Sequence, residues 1–144
     1  MKLNNWSNFN KRSSTLLPEE VVRQDLLRKM IEDLGYPKSL IAVEKPIDSL
    51  PHSNIKTNRR ADVICFSKNR SEELYPLLLI ECKAVPISED VFRQVEGYNT
   101  VVKAFFFTVV NQTEIFTCWL NEQKERKTIN YLPTYQQLIK AAYG

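Results

Sequence analysis

The sequence predicts a single α/β domain of three layers, a central mixed sheet of five strands with helices packed against it, and three observations carry that expectation. An amphipathic helical pattern opens the chain's apolar part at Pro18. The run PLLLIECKA over 76–84 is continuously apolar until its charged end, as in strands buried on both faces of a sheet. The stretch 76–111 then reads strand, helix, strand, a unit whose two strands run parallel and side by side. With 144 residues, 43% of them hydrophobic, the chain has the size of one domain and enough apolar side chains to fill a core.

The elements follow in order. Residues 1–17 are rich in Asn, Ser and Lys, with Trp6 and Phe9 as their only aromatics, and read as an arm that could dock through those rings. LPEEVVRQDLLRKMIEDLG places proline in a first turn, acids beside it and Gly35 just past the end, which predicts a helix over 18–34. Val22, Leu26, Met30 and Leu34 recur every four residues, widened by Leu27 and Ile31, so one face is expected to be buried. LIAVEKPI reads as a first strand and SLPHSNIKTNRR as a polar loop. ADVICFS (61–67) is the second strand and 76–84 the third, buried one. ISEDVFRQVEGYNTVV (87–102) suits a helix capped by Ser88, and AFFFTVVN (104–111) another buried strand. EIFTCWLN (114–121) should return as an antiparallel hairpin. NEQKERKT reads as a solvated charge run, and PTYQQLIKAAY as a short terminal helix. The expected division is an arm over 1–17, the domain proper over 18–120, and a charged turn with a short helix over 121–144.

Composition narrows the chemistry. A net charge of +3 is too small by itself to name a polyanion partner, and the positive balance sits in the two tails while 18–120 is net acidic. Three separated cysteines (Cys65, Cys82, Cys118) support neither a disulfide framework nor structural zinc, which fits a reducing cytoplasm. Three glycines cannot build a phosphate-cradling loop. The single histidine, His52, lies in a loop-like stretch and argues against histidine triads. The N-terminus lacks the apolar segment of a signal peptide, and no run approaches the roughly 20 apolar residues that span a bilayer. Acid–base chemistry therefore falls to carboxylates and lysines.

The informative feature is Asp62 near the start of one strand together with Glu81 and Lys83 at the end of the next, in RRADVIC and LLIECKA. Residues two apart on a strand share a face, so Glu81 and Lys83 project together while Cys82 points into the interior. Antiparallel pairing of the two strands through their turn sets Asp62 beside Glu81 or Lys83. Two carboxylates and a backbone carbonyl, such as that of Cys82, make a hard oxygen site suited to Mg²⁺ or Mn²⁺ with waters retained. Such an ion polarises a phosphodiester and activates water, which the lysine could orient. A structural ion pair of Asp62 or Glu81 with Lys83 satisfies the same spacing.

Five segments in order, PEEVVRQ, GYPKSLIAVEKPI, RRADVICF, LLLIECKA and FRQVEGYN, resemble the PD-(D/E)xK nuclease superfamily. Within it, 18–120 is similar to the N-terminal nuclease-like domain of type I restriction enzyme R subunits. The resemblance implies a restriction-endonuclease-like fold and a metal-dependent endonuclease acting on DNA. It implies that Asp62 and Glu81 ligate the ion and that Lys83 positions the attacking water. An acid on the first helix, Glu19 or else Glu20, would complete the metal's shell, with a Glu19–Arg23 ion pair as the plainer role for that acid. Gln94 and Tyr98, four apart on one helical face, would contact phosphate or a carboxylate, with a surface glutamine and a core tyrosine as the plainer alternative, and Arg23 would also lie near substrate. Lys56, Arg59 and Arg60 could neutralise phosphates at the mouth of the site or simply form a solvated loop. Of Phe105, Phe106 and Phe107, two of three read as core residues of a buried strand rather than as base-stacking rings, and Trp119 and Tyr131 are read the same way. A type I R subunit continues into an ATP-driven translocase and this sequence holds no Walker motif. The expectation is thus a stand-alone nuclease, a piece acting with a separate motor or specificity protein, or a nuclease fold kept for binding. A double-strand break needs two sites or two visits, which makes a homodimer an option.

Overall fold

A computed structural model describes residues 17–50 and 59–144. Trp6, Phe9, His52 and Lys56 lie outside the described residues.

Helix α1 spans Pro18–Glu32, with proline in its first turn and Glu19 and Glu20 beside the positive end of the helix dipole. The chain leaves it through Gly35 at φ +73°, a left-handed conformation that glycine adopts without strain. Val22, Leu26 and Met30 are buried, whereas Ile31, expected to widen that face, is exposed. Strands β1 (Ile41–Pro46), β2 (Arg60–Lys68) and β3 (Leu74–Cys82) follow. Helix α2 (Glu89–Val102) begins at Ser88, whose side chain makes no capping hydrogen bond. Strands β4 (Phe106–Val110), β5 (Ile115–Leu120) and β6 (Arg126–Ile129) come next, then helix α3 (Tyr135–Tyr143).

The strands form one mixed sheet in the order β1-β2-β3-β4-β5-β6. Only β3 and β4 pair in parallel, joined through α2; the other neighbours are antiparallel. In β2–β3, Cys65 pairs with Leu78 and Phe66 with Pro76, so Leu77 is the extra residue of a bulge. One apolar cluster gathers Val22, Leu26 and Met30 of α1 and Leu138 of α3 with Ile80 and Cys82 of β3. A second gathers Val95 and Val102 of α2 with Ile64, Leu79 and Phe107. Inside the sheet the Thr108 and Thr117 hydroxyls satisfy each other at 2.8 Å. No helix among the described residues is long and apolar enough to cross a membrane.

The sheet has six strands, not five. The run expected to be a solvated turn contains β6, which pairs with β5 from Thr117–Ile129 to Leu120–Arg126. Its charges misled because an edge strand tolerates, and is protected by, charged side chains. Arg126 has its own anchor: it pairs with Glu89 and Glu96 of α2 and lies 5.0 Å from the Phe92 ring centroid. Two of the three phenylalanines, Phe106 and Phe107, are core as expected and Phe105 is the third, exposed; Tyr131, expected to be core, is 53% exposed. Tyr131 follows the last strand rather than sitting in one, so no sheet face covers it.

Helix α3 is held at its start by a capping box: the Gln137 N–H donates to the Thr134 hydroxyl at 3.2 Å, and the Thr134 N–H to the Gln137 side chain at 2.8 Å. Thr134→Ala should therefore cost about 1 kcal/mol, and Thr134→Ser little, in urea denaturation monitored by circular dichroism.

Candidate functional site

The β2–β3 ladder ends on the Val63–Ile80 pair. One residue further the register sets Asp62 opposite Glu81, and there side chains replace the backbone pairing. The Asp62 N–H donates to Glu81 Oε2 at 3.0 Å, and the Cys82 N–H donates to Asp62 Oδ2 at 2.8 Å. Each carboxylate thus satisfies an amide of the opposite strand with a charge-assisted hydrogen bond. The two acids meet at the strand ends within the sheet, between its second and third strands, rather than at a lateral edge.

Their surroundings oppose ionisation. Glu81 is only 7% exposed; burial first, then the charge of Asp62, pushes its pKa up to about 7. Burial also raises Asp62, while the Cys82 amide, Arg23 and Lys83 pull it back. Lys83 follows directly on β3, and its N–H donates to the Val110 carbonyl at 2.8 Å, carrying the parallel pairing one residue on. Its charge lowers both carboxyl pKa values. The ion pairs formed among the described residues do not include one from Lys83 to Asp62 or Glu81. A closed salt bridge is therefore not what this constellation forms. The Cys82 thiol is buried in the α1-side cluster, and burial raises its pKa, which leaves it apolar filling rather than a nucleophile.

The first helix contributes differently from the expected ion pair. Arg23 pairs with Glu20, three residues away, at 2.5 Å, and approaches Glu44 at 3.8 Å; the i, i+4 pairing with Glu19 does not form. Glu20 is thereby engaged, and the exposed Glu19 is the acid whose charge raises the pKa of Asp62. Arg59 and Arg60 are held rather than loosely solvated. Arg59 lies 4.2 Å over the centroid of the Tyr98 ring, and Arg60 donates to the Glu44 carbonyl at 3.2 Å. The Tyr98 hydroxyl donates to the Arg60 carbonyl at 3.0 Å, which ties α2 to the start of β2. Gln94 is exposed and lines a cleft with Arg59 and Tyr98.

Glu44, which holds Arg23 and Arg60 together, went unnoticed in the sequence. Its only mark is a backbone at φ +50°, and that is invisible in a run that reads as strand. Arg93, on the wall of the same cleft, lies in the FRQVEGYN segment but was given no role in the sequence.

Among the described residues, no three His, Cys, Asp or Glu side chains are grouped as a metal cage. The donors present are two desolvated carboxylates, Glu81 accepting the Asp62 amide and Asp62 the Cys82 amide. That set fits a hard divalent cation that keeps most of its water, and does not fit zinc. A family model, type I restriction enzyme R protein N terminus, matches residues 18–134, from the first residue of α1 to the cap of α3. A search of curated proteins found no match.

The raised pKa of Glu81 has a consequence for stability without metal. The folded state holds this proton to higher pH than the unfolded chain, where the ordinary value is 4.5. The stabilisation is full below about 4.5 and is lost as pH rises through about 7. Thermal melts in EDTA should fall in midpoint across that window. Glu81→Gln, which still accepts the Asp62 N–H, should flatten the fall; an unchanged slope in that variant would contradict the assignment.

Proposed function

The chain belongs to the type I restriction enzyme R protein N-terminal family, a restriction-system nuclease-like domain, and we propose that it is a divalent-metal-dependent endonuclease hydrolysing DNA phosphodiester bonds. One observation carries the reading: the Asp62–Glu81 pair, two desolvated carboxylates at a strand junction, beside a lysine that neutralises neither by direct contact. Structural ion pairs cancel charge by direct contact, whereas here Lys83 makes no such contact with either carboxylate, which leaves both open to a cation. In this reading the sheet and its helices form the three-layer α/β/α arrangement of restriction endonucleases, with the acids at the ends of β2 and β3.

Asp62 and Glu81 would hold Mg²⁺ or Mn²⁺, with the Cys82 backbone carbonyl as a third oxygen and Glu19 hydrogen-bonded to coordinated water. Bound there, the ion would supply positive charge to a phosphate oxygen and increase the acidity of water. The backbone bonds from Asp62 and Cys82 fix the two carboxylates in place, so no reorganisation is needed when substrate arrives. Lys83 orients the attacking water and accepts or passes its proton; Gln94, from the cleft it shares with Arg59 and Tyr98, and Arg23, whose charge acts on Asp62, would contact the strand. Arg59 and Arg60, braced by Tyr98 and Glu44, and Lys56, three residues before Arg59 in the sequence, would offset phosphate charge in an otherwise net-acidic core. The expected partners are DNA and a separate motor or specificity protein, with cleavage of both strands served by a homodimer.

A second reading has its own support. Both carboxylates already accept backbone amides, so they could serve the strand junction alone in a nuclease fold retained for binding nucleic acid or a restriction-system partner. Turnover separates the two. With Mn²⁺ or Mg²⁺ the protein should nick or linearise supercoiled plasmid, EDTA should stop it, and Asp62→Asn, Glu81→Gln and Lys83→Gln should each lower the rate by about 100-fold or more. Parallel reactions on linear duplex, single strands and RNA identify the substrate. Full activity in Asp62→Asn would overturn the mechanism, and absence of turnover in the wild type would favour the binding module.

A further inference from the structure

The strand ends away from Asp62 and Glu81 leave a group of large apolar side chains in solvent. Phe105 directly precedes β4, whose first residue, Phe106, pairs with Leu78 while its last, Val110, pairs with Cys82 beside the acids. Phe105 is 39% exposed, and with Leu120 at the end of β5 (43%), Tyr131 (53%) and Tyr143 (40%) it makes one face. Contacts join them: the Phe105 and Tyr143 ring centroids are 5.4 Å apart, and Phe105, Leu120 and Tyr131 border the same cleft between the sheet and α3. The open parts of these four side chains amount to roughly 400 Å², the size of the largest apolar patch on a typical monomer, which is often functional.

The face has the shape of a ridge beside a hollow. The cleft holds about 480 Å³ and is walled by Phe106, Trp119 and Ile129 from the sheet and by Leu138 and Ala141 of α3; none of the residues around it carries a charge. Phe105 and Leu120 also line a second cleft on the α2 side, so they stand as a ridge between the two. A hollow of that volume accepts a small molecule and so has room for the tips of two apolar side chains. A two-fold interface sets one patch against its own copy, residue i meeting j while j meets i. A patch of one charge would repel itself there, whereas this cleft has no charge and carries both the knob and the hole that such pairing needs. The area agrees. A standard interface takes ~800 Å² from each partner, and the four side chains supply about half of it before the half-buried Trp119 and Ile129 and the exposed Gln137 and Ala141 along the cleft are added.

We propose that this face is a two-fold dimer interface between copies of this chain, in which the ridge of Phe105 and Leu120 on each copy enters the cleft of the other and Leu120 packs on Tyr131. It gives a surface to the homodimer named above, but it stands on shape and apolar area and requires no hydrolysis. The face lies at the opposite strand ends from Asp62 and Glu81, so pairing leaves both carboxylate pairs open to DNA. Tyr131 is the most exposed of the four and follows β6, and the partner copy covers the ring that the sheet does not.

Sedimentation of the full chain, without DNA or metal, should show monomer passing to dimer with a dissociation constant of about 1–100 µM. Leu120→Lys and Tyr131→Glu should each weaken the dimer about 10-fold or more, with melting temperatures near that of the wild type because both positions are exposed. Val43→Lys, on the opposite edge strand and also exposed, should leave it unchanged. An equal mixture of Leu120→Lys and Tyr131→Glu should dimerise more tightly than either variant alone, since the new lysine meets the new glutamate across the interface. A wild type that stays monomeric, whether its face is bare or covered by residues 1–16 of the same chain, overturns the proposal. So does growth past the dimer, dimerisation within twofold of wild type in both variants, or a mixture that regains nothing. Plasmid cleavage is assayed separately: a dimer that never cleaves keeps this interface and removes the proposed hydrolysis, and a monomer that cleaves does the reverse.

Discussion

The arrangement depends on the crossing of two carboxylates where β2 and β3 part. Glu81 reaches over to the amide of Asp62, and Asp62 to the amide of Cys82, so the last backbone donors of the ladder are satisfied by charged side chains. Removing either acid leaves a partly buried amide without its acceptor as well as deleting a charge. The junction is costly in another sense, because both groups hold their protons more tightly than they would in water. Geometry forces the two acids together while burial resists their charges, and that opposition is what makes a cation at this point favourable.

The rest of the molecule serves the junction from three directions. Helix α1 lies close enough for Arg23 and Glu19 to act on Asp62, with Arg23 steadied by Glu20 and Glu44. The parallel β3–β4 pairing runs one residue past β3 and fixes the backbone of Lys83 through the Val110 carbonyl. Helix α2 braces the entry of β2 through Tyr98. The apolar clusters supply the rigidity: Ile80 and Val63, the pair immediately inside the acids, are fully buried, so the strands cannot drift apart below them.

Much of this was legible in the residues. The helical face of Val22, Leu26 and Met30 follows from periodicity, the buried run ending in Glu81 from its unbroken apolar character, and the parallel β3–β4 unit from the strand, helix, strand order. The residues set Asp62 beside Glu81 or Lys83 without choosing; counting outward from the Lys68–Leu74 pair alone would set Asp62 opposite Ile80, and the bulge at Leu77 shifts the register by the one residue that brings Glu81 there. Three features were not legible. β6 hides because Arg126 and Lys127 look solvated, and only the tertiary partners of Arg126 on α2 make a strand of it. The choice of Glu20 over Glu19 by Arg23 depends on side-chain direction, which spacing alone leaves open. Glu44 takes its role from a left-handed backbone inside a strand-like run, a conformation no pattern of residue types announces.

The account's central claim is that the Asp62–Glu81 pair is a cation site whose protons the metal displaces. Isothermal titration of the metal-free protein with Mn²⁺ at pH 6, repeated in two buffers of different ionisation enthalpy, tests it directly. The prediction is a single ion bound with release of about one proton, an affinity that climbs toward pH 8, and loss of both signals in Glu81→Gln. Absence of Mn²⁺ binding, or binding that releases no proton and persists in Glu81→Gln, would contradict it.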